Sequence, residues 1–203
     1  MGCNFSRFGE VTLESEEAIR YAEKLYGILT DKEKESIENR IVLADARETY
    51  DRLVREAEEA ALAAAAEEAA RIAALEAAMP AMDAFLKAAN SIVWNLELVA
   101  KYAGNVNGNG SRKFADSFLK TLQDAYKNID LAPIREGFPE LAEQVAVIMG
   151  NQEMVIDLLK EMGRTNSTSN VTTMKTLSIE TVQLIEALQA DYQRTLQENG
   201  LAG

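Results

Sequence analysis

A chain of 203 residues with three prolines, eleven glycines and heavy use of Ala, Glu, Leu, Lys and Gln is composed for helix, because these residues lose little side-chain freedom in one. Its formal charge of -12 argues against nucleic acid and anionic membranes as direct partners, since both are held by clustered Lys and Arg. Histidine is absent, which removes Ser-His and Cys-His nucleophile pairs and the His-containing carboxylate sites of helical bundles, and the single cysteine, Cys3, excludes a disulfide framework or a multi-cysteine zinc site.

The expectation is an all-α, non-enzymatic protein with no cofactor. No apolar run approaches the roughly 20 residues that cross a bilayer, and residues 1–30 lack the apolar core of a secretory signal. The location expected is the cytoplasm, or a particle assembled there.

Residues 1–30 are expected to comprise an irregular segment over 1–11, with Phe5 and Phe8 as anchors, and a short helix capped at Thr12 or Ser15. Ile19, Ala22, Leu25, Tyr26 and Leu29 recur at three- and four-residue spacing on its one face. The N-terminus MGCNFS fits acylation, with Gly2 and Cys3 as the two sites; two chains are needed because one gives only marginal membrane binding.

Thr30 and Glu33 make a capping box, so a second helix is predicted from Asp31, and no glycine or proline interrupts it before Pro80. Those residues, 31–79, would span about 73 Å if straight. A compact globule of this chain length is only about 43 Å across. A helix longer than its domain must break, project into solvent or lie along a partner. Ile37, Ile41, Ala44, Tyr50, Val54, Ala57, Ala61, Ala65, Ile72, Leu75 and Met79 roughly track one stripe. Glu48, Glu58 and Glu68 fall on or beside it, which favours an alanine-rich helix in a bundle or multimer over a regular coiled coil.

Residues 80–163 are expected to form a helical bundle. Pro80 opens a third helix, whose Met82, Phe85, Leu86, Ala89, Ile92, Val93, Leu96, Val99 and Tyr102 form a broad apolar face, with Trp94 as a second core contact or a partner anchor. The glycine-asparagine stretch GNVNGNGS is a loop, and Ser111 caps a fourth helix carrying Phe114, Phe118, Leu119, Leu122, Tyr126 and Ile129. LAPIREGFP is a turn-rich connection. Glu140–Met149 and Gln152–Met162 make a hairpin turning at Gly150-Asn151 and ending at Gly163. Its second half, GNQEMVIDLLKEMG, resembles the second helix of an ankyrin repeat over about 14 residues. The preceding segment lacks the TPLH turn and no second copy follows, so the hairpin is read as an ordinary one.

The stretch from Asn105 to Asp116 resembles an EF-hand calcium loop. The resemblance implies Asn105, Asn107, Asn109 and Asp116 as metal ligands around Gly110. Only one carboxylate is present, and the twelfth position is Asp rather than the longer Glu, so calcium binding would be weak. A structural Asn-Gly loop is the competing reading, and Arg112 and Lys113 beside it could hold an anion.

A polar linker is expected at 164–173, and a C-terminal helix at 174–203 with Leu177, Val182, Ile185, Leu188, Tyr192 and Leu196 on one face, ended by Asn199-Gly200. The function this pattern points to is structural: a scaffold, or a virion component, acting through helix-mediated self-association or attachment to a larger assembly. An acyl-anchored membrane adaptor and an ion- or ligand-binding bundle are the alternatives.

Overall fold

The computed structural model describes residues 10–37, 40–105 and 108–202, and among them there are helices and no strand. Seven α-helices follow one another: α1 Glu16–Gly27, α2 Asp31–Glu35, α3 Arg40–Tyr102, α4 Gly108–Tyr126, α5 Ala132–Gly137, α6 Pro139–Thr165 and α7 Val171–Glu198. The chain divides into two compact units, Met1–Ala69 and Ala70–Gly203. Helix α3 crosses that boundary, so residues 40–69 of it belong to the first unit and 70–102 to the second.

In the first unit the side chains of Thr12 and Ser15 close a reciprocal cap ahead of α1. The Thr30 cap predicted from sequence is present, its N-H and hydroxyl both donating to Glu33 Oε2, at 2.8 and 2.7 Å. It starts a helix of only five residues, because Ser36 folds its hydroxyl back onto the Glu33 carbonyl at 2.7 Å and closes the turn. The long helix therefore begins at Arg40, not Asp31. Its early stripe is shifted in part: Leu43 and Ala46 are buried against Ile19 and Ala22 of α1 together with the predicted Tyr50, whereas Ile41 and Ala44 face outward. Val11, Tyr26 and Val54 pack around that cluster.

The second unit holds the main core. Helix α3 runs through Pro80 without ending, and Ala78 and Met82 on either side of the proline are fully buried. Phe85 of α3 stacks on Tyr126 of α4 with ring centroids 5.3 Å apart, and Arg112 of α4 donates to the Gly163 carbonyl of α6 at 2.9 Å. Gln144 of α6 donates to Asp191 of α7 at 3.0 Å, and Asn90 of α3 to Gln189 at 3.4 Å. These pairings set α3, α4, α6 and α7 antiparallel in succession, an up-down-up-down bundle. The connection 131–138 holds the short helix α5, whose last residue, Gly137, comes so close to α3 that an added Cβ would lie 2.4 Å from Ala78 Cβ and 2.6 Å from the Ala74 carbonyl oxygen.

Helix α6 is one continuous helix rather than a hairpin. Gly150 sits in its exposed middle with nothing within 4 Å of its would-be Cβ, and a lone glycine in a helix interior costs only about 1 kcal/mol. The true terminator is Asn166, in the left-handed conformation at φ 54°. The polar stretch contracts to 166–170 between helices. The end of α7 is as predicted: Gly200 adopts φ +68° and the Leu201 N-H returns to the Leu196 carbonyl at 2.8 Å, a Schellman closure.

Candidate functional site

Three features of the described surface stand out as able to bind something. In the first unit, α1 is apolar on two sides. Ile19 and Ala22 face inward, while Tyr21, Leu25 and Ile28, spaced four and three residues apart, are 65 %, 36 % and 75 % exposed. Between α1 and α3 lies an open groove of about 930 Å³. Part of its wall is the Glu23–Arg47 pair, in which Arg47 Nε and one Nη donate to the two Glu23 carboxylate oxygens at 2.7 and 2.5 Å. Arg47 also lies over the Tyr50 ring, 5.6 Å from its centroid. The hydrogen bond from Arg47 holds the Glu23 carboxyl below the usual range, so the pair is charged at neutral pH.

The second feature is the stretch of α3 from Glu58 to Arg71, in which every residue is exposed. Alanine dominates it, Leu62 is its one large exposed apolar side chain, and Glu58, Glu59, Glu67 and Glu68 give it a negative surface. Alanine's high helix propensity lets the segment remain helical while exposed, and at its end Arg71 donates to Asn199 beyond α7.

The third feature lies on α3 in the second unit. Trp94 is 65 % exposed and so is not the core contact that its apolar surroundings suggested. Leu98 and Tyr102, one and two turns on, border an apolar pocket of about 120 Å³ completed by Val99, Ala103, Phe114 and Leu159. Lys101 sits 5.2 Å from the Tyr102 ring centroid.

The predicted metal ligands are dispersed along secondary structure. Asn105 ends a 3-10 turn, Asn107 lies outside the described residues, and α4 begins at Gly108, so Asn109 is in its first turn and Asp116 in its interior. The seven steps from Asn109 to Asp116 correspond to about 10 Å of helix rise, too far for two ligands of one ion. Glycine and asparagine suggested an irregular loop, but the helix starts at Gly108, four residues before the position a Ser111 cap implies, and absorbs residues 108–110. Ser111, expected as the cap, is therefore a buried residue of the first turns, and Arg112 is bonded to Gly163 instead of facing an anion. Gly2 and Cys3 lie outside the described residues.

Sequence reasoning missed the polar atoms within the bundle. Gln152, on α6, is fully buried with neither amide atom in a hydrogen bond, and the hydroxyl of Tyr126 is buried without one as well. Burial pushes the Tyr126 phenol up to about 12, the nearby Gln152 amide pulling weakly the other way. Ser178 and Thr181 likewise sit on the inner face of α7, where spacing from Ile185 could have located them despite their polarity.

No protein family, curated protein or solved structure matches the chain.

Proposed function

We propose that the protein is a non-enzymatic structural component that assembles through its helices, chiefly with copies of itself. The observation that carries this reading is the fully exposed Glu58–Arg71 segment of α3. A helix of this length gains most of its stability from packing an apolar face, yet residues 58–66 present an alanine-rich surface, which lets another backbone approach closely, that is exposed along its whole length. The first unit adds support, because its buried apolar cluster is small and Tyr21, Ile28, Ile41 and Leu62 remain largely outside it. Small units with so little core generally gain stability by oligomerisation.

Hydrogen-deuterium exchange tests the reading. At low protein concentration the amides of residues 58–69 should exchange faster than those of the Leu75–Val99 segment, and raising the concentration should slow them selectively. Exchange in this segment that stays the same at every concentration would argue against it.

A further inference from the structure

Residues 165–173 read TNSTSNVTT, and all six of their hydroxyl side chains are exposed. Asn166, at φ 54°, stops α6, so Ser167, Thr168 and Ser169 lie outside both helices. Ser167 is set apart by what precedes it. Among the serines and threonines of the chain it alone has an arginine three residues before it, Arg164, while Ser178, with Lys175 in that place, is fully buried in α7. An arginine at that distance is what basophilic protein kinases read, because its guanidinium pairs with carboxylates beside the kinase's active site. Both residues can be reached: the Arg164 side chain is 72 % exposed, and the Ser167 hydroxyl donates to that of Ser169 at 3.0 Å, a bond within the connection itself. Entry into an extended cleft requires the last turn of α6 to open, releasing the Arg164–Glu161 pair and the Asn166 N-H from the Met162 carbonyl, and helix ends open at little cost. The surroundings suit a phosphate. Arg164 ends α6, Arg112 of α4 donates to the Gly163 carbonyl at 2.9 Å, and Lys175, one turn into α7, lies beside Gly104 at the same end of the bundle. The carboxylate among them, Glu161, is already paired with Arg164. Local charge here is thus the reverse of the chain's net -12. Helix α7 begins with no acidic residue in its first turn and no side-chain cap from Asn170, so negative charge ahead of it is favourable.

We infer that Ser167 is a phosphorylation site for a protein kinase that selects arginine three residues before the acceptor, and that the phosphate tightens the α6–α7 junction. The γ-phosphoryl group of a nucleoside triphosphate passes to Ser167 Oγ. The new P–O bond forms as the bond to the diphosphate leaving group breaks, and the hydroxyl proton goes to the kinase's base. The product sets a charge of about -2 beside Arg164 and ahead of α7.

The test uses the full chain, a purified basophilic kinase and magnesium ATP. Intact mass should show one added phosphoryl group, and fragmentation should place it on Ser167. S167A should take up none, and R164A should slow uptake about tenfold or more, the loss of a charge-assisted contact to the kinase. Both substitutions are at exposed positions, so unchanged helical circular dichroism separates lost recognition from lost fold. The phosphorylated chain should melt about 1–3 °C above the unmodified one at low salt, and the gain should shrink at high salt. No uptake, uptake on other residues, or equal rates in wild type and R164A would overturn the assignment of Ser167. Modification of Ser167 with an unchanged or lowered melting temperature would overturn the role given to the phosphate.

Discussion

Gln152 and Tyr126 place unbonded polar atoms among the apolar side chains of the second unit, where each such group costs roughly 1–3 kcal/mol. The cost has a pH signature. Tyr126 stays protonated in the folded chain up to about pH 12, whereas in the unfolded chain it ionises near 10. Below pH 10 both states hold the proton and stability is unaffected by it. Above pH 10 the unfolded state loses the proton while the native state keeps it, so stability falls as pH rises towards 12. Urea denaturation at pH 9 and at pH 11.5 should show a marked loss for the wild type and a smaller one for Tyr126→Phe; equal losses would mean that this phenol does not resist ionisation. Much of the core was legible at this scale, as Ile19, Phe85, Ile185 and Tyr192 all lie where their spacing put them. Gln152, Ser178 and Thr181 were not legible, because a polar side chain on an apolar face reads as a phase error until a neighbouring helix covers it. Of the two readings open for Trp94, a second core contact or a partner anchor, its exposure rules out the core contact.

Helix ends show where local rules hold and where packing overrides them. The caps at Thr12 and Thr30 and the Gly200 closure form as written, since each depends on atoms within a few residues. Pro80 and Gly150 were expected to break helices and do not. At Pro80 the burial of Ala78 and Met82 outweighs the lost hydrogen bond to the Glu76 carbonyl and the ring's crowding of it, together about 3 kcal/mol. Pro80→Ala should therefore raise the stability of the protein. Relief of that cost exceeds the roughly 0.4–1 kcal/mol lost by freeing the unfolded chain, leaving a gain of about 2 kcal/mol. The urea midpoint measures it, and a lowered midpoint would mean that the core is built around a proline-induced bend. The Asn-Gly loop expected before Ser111 gives way to helix for a related reason: glycine and asparagine tolerate irregular backbone but do not demand it, and the apolar stripe of Ala115, Phe118 and Leu122 draws the helix forward over them.

Across the molecule, the expectation that one helix outruns what the chain can cover is met in altered form. The helix is longer than predicted, Arg40–Tyr102; Leu43, Ala46 and Tyr50 are buried in the first unit and a row from Leu75 to Val99 in the second, while residues 58–71 are exposed throughout. Composition made the all-α class plain, and the alanine run marked the bare segment, but only coordinates could show that α1 covers the start of α3 and that α4, α6 and α7 cover its end. The exposed apolar residues of α1 and α3 support the proposal that the protein meets other helices. Light scattering after size exclusion, run over a concentration series, addresses that claim most directly: the mass should climb from the 22.3 kDa of one chain at high dilution to at least double that value. A mass fixed at one chain over the whole series would contradict self-assembly.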